Sequence, residues 1–327
     1  MHDLSDPEPY YIAASAPPRL PGSQAEQRIM QVLTESARET VVDAVKRWNQ
    51  ALRTEVRAAT ALSLPEGTSV PVAVIDGMPK PLADATAHIE TWQWWLSFHR
   101  PTLEQTDYGL KLLLQERQFL TQHLGDAVKN LDTVEGTRSL IQGILKHSIE
   151  KDIFDRFKEI KEDVFGAYWI LASKIQLYWM PLAIFAPILS APLSTLATAV
   201  LCHELVHAYT HRGVDTDGKS WPTTHFIQTD VYVKEGLAQY YTEQIMRTLQ
   251  GRVPDSLETF LKKTSRQSAP YTTYQNWLGD KKQPSPEAVR LAMLQFRNST
   301  PPIHGHDQFS GLVHSAQAQI HSDRSAG

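Results

Sequence analysis

AVLCHELVHAYTHRG, residues 199–213, places His203, Glu204 and His207 in a stretch that carries no other formal charge before Arg212. Apolar residues lead into it, and Gly213 is a natural stop for a helix. On a helix, positions i and i+4 lie one turn apart on the same face, so His203 and His207 can reach a single metal ion. Glu204 is turned about 100° from His203, as 3.6 residues per turn requires. It borders the metal face without chelating, within reach of a water on the metal. This is the His-Glu-x-x-His arrangement of zinc peptidases. Five residues recur by chance, and the bland reading is polar groups on a helix. An apolar helix arriving from a predicted strand favours the metal.

A catalytic zinc takes three protein ligands and keeps one position open, so a third ligand must come from elsewhere. His211 continues the i+4 series but stands at the helix end. Asp215, Asp217 and His225 fall in the loop that follows. A metzincin would carry glycine and histidine where this chain has Thr210 and Gly213, which excludes that class. Glu235, in KEGLAQYY (234–241), is the better candidate: it lies on the next predicted helix, and Gly236 beside it lets two helices approach closely. The competing reading of Glu235 is a solvated first-turn glutamate that favours the helix dipole.

HELVH followed by a helix bearing EGLAQYY resembles the gluzincin metallopeptidases, a group that includes thermolysin and the alanyl aminopeptidases. The resemblance covers about residues 168–245. It implies a zincin fold, with a small mixed sheet backing the active-site helix and a second helix carrying the glutamate. It implies His203, His207 and Glu235 as ligands of Zn2+, Glu204 as the general acid/base, and a peptide or protein substrate. Two features depart from the pattern. The interval from His207 to Glu235 is longer than in thermolysin, and the aspartate that orients a zinc histidine there is replaced by Gln239. No aminopeptidase signature lies upstream, so trimming from the N-terminus is not supported.

The reaction also needs a donor for the oxyanion. Tyr240, Tyr241, Tyr271, Tyr274, His304, His306 and His314 are available; each is more often a packing or surface residue, and Tyr274 is the favoured one. Asp230 is the guess for a group that orients a ligand histidine. Cys202 reads as a small buried hydrophobe rather than a reactive thiol.

The rest of the chain sets the frame. The 327 residues carry a net charge of −4 and one cysteine. No basic excess points to nucleic acid, no disulfide framework is possible, and a reducing, cytoplasmic setting is the natural expectation. Residues 1–24 read as a flexible acidic arm without the basic start and apolar run of a signal peptide. Residues 25–162 read as a helical region that packs around TWQWWLSF (91–98) or presents Trp92 and Trp95 to a protein partner. Residues 163–300 are expected to form the zincin-like metallopeptidase domain that the resemblance implies. Residues 301–327 form a polar tail in which Phe309–Ile320 is either a docking helix or a frayed surface segment. Helix starts are expected at Pro101, and at Ser190 with Pro192 in the first turn. The fold class is α+β, mostly α. Ile175–Cys202 is uncharged and long enough to span a bilayer, but Pro181, Pro187, Pro192 and five polar side chains argue for a buried strand, a proline-rich turn and a buried helix instead.

Overall fold

The computed structural model describes residues 35–125, 131–146, 164–216, 218–279, 283–299 and 304–326; the expected arm at 1–24 lies outside them. In chain order the elements are α1 (Glu35–Thr60), β1 (Val72–Ile75), α2 (Lys80–Gln115), α3 (Arg117–Leu124) and α4 (Leu131–Lys146). Then come β2 (Gly166–Trp169), β3 (Lys174–Tyr178), α5 (Trp179–Ile188), α6 (Leu193–Arg212) and α7 (Thr223–Gln228). The chain continues with α8 (Val231–Thr248), α9 (Ser256–Thr264), α10 (Pro286–Arg297) and α11 (His306–Ala326). The described chain is mostly helical with one small mixed sheet, the class the sequence predicts.

The chain divides into two compact units. One holds α3, α4 and α2 from Ala83 onward; the other holds α1, β1 and everything from β2 to α11. Glu26–Leu82 and Lys161–Gly327 thus belong to the same unit. The apolar stripe of α1, including Val41, Ala44, Val45, Leu52 and Val56, is buried, and α1 packs along α6, the helix of the histidine motif. Periodicity reveals such a stripe but not its partner, so α1 looked like part of an N-terminal helical region. In the smaller unit, α2 runs through Pro101 rather than starting there. Trp95 is half-buried with its ring 4.7 Å from that of His99; the side chain of Trp92 lies outside the described residues.

The sheet has the order β1-β3-β2, with β3 parallel to β1 and antiparallel to β2. Ala167 and Trp169 pair with Gln176 and Lys174, so they share one face, and the Lys174 ammonium lies 5.6 Å from the Trp169 ring centroid. Alternation sends Gly166 and Tyr168 to the other face, against α6. The aromatic and β-branched run after 166 is a hairpin followed by a helix, α5. An apolar run of this kind does not tell a buried strand from a buried helix. Pro181 sits in the first turn of α5, where its missing N–H is not needed.

Pro192, extended at φ −62° and ψ 131°, is the residue just before α6. Ser190 lies three residues before Leu193 with φ 48°, so it is not the cap the sequence predicts. Gly213 does end α6, for a steric reason: a Cβ there would lie 2.3 Å from the Tyr209 carbonyl oxygen. No described helix is long and apolar enough to cross a membrane.

The expected polar tail is instead a core element. In α11, Phe309 and Val313 are fully buried and Ile320 nearly so, and the helix packs on α10. The Phe309 ring lies 5.0 Å from Trp277 and 5.3 Å from Phe296. Its apolar positions are spaced too irregularly among histidines, serines and glutamines for periodicity to reveal them. Phe309→Ala should therefore cost about 3–5 kcal/mol, the usual loss for a buried aromatic. Thermal or urea unfolding measures it, and a frayed tail would lose almost nothing.

Candidate metal centre

Three side chains converge in the larger unit. His203 and His207, one turn apart on α6, bring their Nε2 atoms to 3.1 Å. Glu235, in the second turn of α8, places Oε2 at 3.0 Å from His203 Nε2 and 3.4 Å from His207 Nε2. All three are buried, at 2%, 0% and 1% exposure. Together they are a group able to hold a metal ion.

The spacing tests that fit. Four ligands at 2.0–2.1 Å around a tetrahedral ion are about 3.3 Å apart, and the observed separations bracket that value. Aiming three lone-pair atoms at one point in a dry interior is costly unless a cation or protons stand between them. Burial lowers the His203 pKa, which favours the neutral imidazole that ligates. Burial alone would raise the Glu235 carboxyl, but contact with His207 and His203 overrides it and holds the group below the usual carboxylate range. For His203 and Glu235 these directions favour the forms that bind a metal, neutral imidazole and ionised carboxylate.

The scaffold explains why Glu235 arrives here. Asp230 caps α8, its Oδ1 accepting from the Tyr232 N–H at 2.9 Å. It therefore serves the helix end rather than a ligand histidine, as its short side chain before an apolar run favours. Gly236 does permit a close approach, though not by a second helix. A Cβ there would sit 2.7 Å from Cζ2 of Trp277. Gln239, one turn beyond Glu235, donates to Gln267 Oε1 at 2.8 Å. Among the described residues, His203 Nδ1 has no hydrogen-bond partner.

Glu204, next to His203 on α6, is not part of the cluster. A Cβ on Gly166 would come within 3.1 Å of Glu204 Cγ, 3.2 Å of its Oε1 and 2.9 Å of Val200 Cγ1. The carboxylate is therefore packed against the start of β2, and glycine is what leaves room for it. Gly166 was not singled out by sequence, although a glycine opening a strand is a signal of close approach.

The alternative ligands are committed elsewhere. His211 is pinned between the Tyr168 hydroxyl, 2.8 Å from Nδ1, and Thr223 Oγ1, 3.1 Å from Nε2. Asp215 accepts from Arg290 at 2.6 and 2.7 Å. Asp217 lies outside the described residues. The Tyr274 hydroxyl, favoured above as an oxyanion donor, instead donates to Glu243 Oε2 at 2.7 Å and is fully buried. Tyr271, three residues earlier, is the tyrosine whose ring approaches a ligand, 6.3 Å from that of His203. The spacing in PYTTYQNW does not distinguish the two, because short helical turns set which one points inward. Cys202 is fully buried and its thiol pKa is pushed up by burial, as expected of a packing residue.

No protein-family model, curated protein or solved structure matches the chain.

Two outcomes follow from this geometry. Glu235→Ala should strip a bound metal while His211→Gln leaves it, measured by metal content after gel filtration. The second concerns acid. Burial pushes His211 down to about 3, with Arg212 and Lys234 acting in the same sense. Between its ordinary 6.5 and about 3, the unfolded chain binds a proton that the folded chain does not. Stability therefore falls as pH falls through that window, with a slope of up to about 1.4 kcal/mol per pH unit from this one group. His211→Gln should flatten that part of a stability–pH curve.

Proposed function

We propose that the chain is a zinc-dependent peptidase of the His-Glu-x-x-His…Glu type, with His203, His207 and Glu235 as ligands and Glu204 as general acid/base. The observation that carries this reading is a buried His-His-Glu cluster of tetrahedral spacing, with a buried glutamate that follows His203 on the same helix and is not one of its members. The resemblance to gluzincins supports the same roles. Two nitrogens and one carboxylate oxygen are the donor set of catalytic zinc sites. When bound, zinc supplies Lewis-acid polarisation of a carbonyl and acidification of water.

The chain's own residues do the remainder. The Glu204 carboxylate takes the proton of the attacking water and passes it to the leaving amine. Packing against Gly166 fixes its position, so little reorganisation is needed at reaction. Tyr271, whose ring lies 6.3 Å from that of His203, takes the role first assigned to Tyr274, donating to the developing oxyanion. The substrate is a peptide or protein. One buried thiol and a charge of −4 accord with a cytoplasmic setting and give no footing for nucleic acid.

A structural metal site is the second reading, and the near-complete burial of the cluster favours it. A structural site has no use for a base at position 204, and the two readings separate by experiment. Glu204→Gln should retain one zinc per chain and the wild-type melting temperature, yet lose roughly 10²–10⁴ of peptide hydrolysis. Gly166→Ala, which displaces the same carboxylate without changing it, should keep zinc and lose roughly tenfold to hundredfold. Wild-type protein that holds zinc and cleaves nothing in broad peptide pools would establish the structural reading.

A further inference from the structure

A substrate must reach a cluster whose ligands and neighbouring base are each at most 2% exposed. We infer that Ser265–Thr273 is a lid over this cluster, and that it swings away to admit ligands and returns to place Tyr271 against His203. This rests on the metal-cluster reading and not on the peptide chemistry.

The segment has the build of a hinged flap. No side chain from Ser265 to Thr273 is buried. Both ends are held firmly. On one side, Thr259, Phe260 and Thr264 of α9 are buried. On the other, Tyr274 is tied to Glu243 and Trp277 is packed against Gly236. Between these anchors the backbone N–H groups of Ser265, Arg266, Gln267, Tyr271 and Thr272 donate to carbonyls three or four residues back. The Thr272 and Thr273 hydroxyls both turn back to the Ala269 carbonyl. Segments with local hydrogen bonds and no buried side chains open at low cost relative to the core.

The closed position has two marks. The Ala269–Tyr271 turn lies along α8, the helix of Glu235, and carries the Tyr271 ring to 6.3 Å from His203. Gln267 Oε1 accepts from Gln239 Nε2 at 2.8 Å. Gln239 is itself fully buried, one turn beyond Glu235. This bond latches the flap to the ligand helix, and it occupies the position where the gluzincin pattern would place an aspartate.

Metal exchange reads the gate directly. In zinc-loaded protein mixed with excess EDTA, Gln267→Ala, which removes the contact with Gln239 and a 3.4 Å contact from Lys263 Nζ, should release zinc about threefold to tenfold faster. Zinc uptake should accelerate by the same factor, leaving Kd unchanged. Equal release rates in wild type and Gln267→Ala would overturn the lid. Faster release with a proportionate loss of affinity would also overturn it, since that marks a residue supporting the ligands. Amide hydrogen exchange needs no metal: residues 265–273 should exchange well ahead of α8 and α9, and protection equal to α8 would sink the idea. Failure of the wild type to take up zinc would instead count against the metal reading, while hydrogen exchange still decides the lid.

Discussion

Two helices must hold three electron-rich atoms within hydrogen-bond distance of one another in a dry interior, and much of the larger unit is arranged around that constraint. The point of convergence lies between α6 and α8, so any sliding of one helix along the other separates Glu235 from the histidines. The sliding is opposed from several sides. Helix α1 packs along the length of α6, the sheet packs on it at Gly166, and Trp277 fills the notch at Gly236 on α8. Arg297, buried at 2%, donates to the carbonyls of Gly213 and Lys219 and fastens the loop that leaves α6. These contacts hold in place the two helices that carry the cluster.

The parts of the site that sequence revealed were those governed by local geometry. An i,i+4 histidine pair is one turn of helix wherever it occurs, so His203, His207 and the offset Glu204 could be read together. Glu235 required a second helix to bring it back, and its likeness to a known pattern supplied what periodicity did not. What escaped were residues whose role depends on an unseen neighbour. Gly166 matters because Glu204 lies against it, and Tyr271 differs from Tyr274 only through the turns that aim them. Asp230 looked like a candidate for the histidines because nothing in the chain announces that Tyr232 and His306 need its oxygens.

The same logic separates the elements that were legible from those that were not. Helices α8, α9 and α10 carry caps, stripes or stops in their own residues: Ser285 accepts from the Ala288 N–H ahead of Pro286, for example. Strand β3 followed by α5 is a continuous apolar run, and nothing within it marks the change from period two to period 3.6. Helix α11 was obscured for the opposite reason. Its apolar residues are few, and only the aromatic shelf made by Phe296 and Trp277 turns them into core.

Asp230 also joins distant parts of the chain in time as well as in space. Its Oδ1 holds the start of α8, its Oδ2 accepts from the His306 N–H at 3.3 Å, and its own N–H donates to the His304 carbonyl at 2.7 Å. One carboxylate thus begins both the helix that carries Glu235 and the helix that follows Gly305. During synthesis, residues 304–306 leave the ribosome long after Asp230 does. The helix that carries Glu235 therefore gains this tether only from a segment 76 residues further along the chain. A nascent chain carries both histidines and Glu235 before that tether can form.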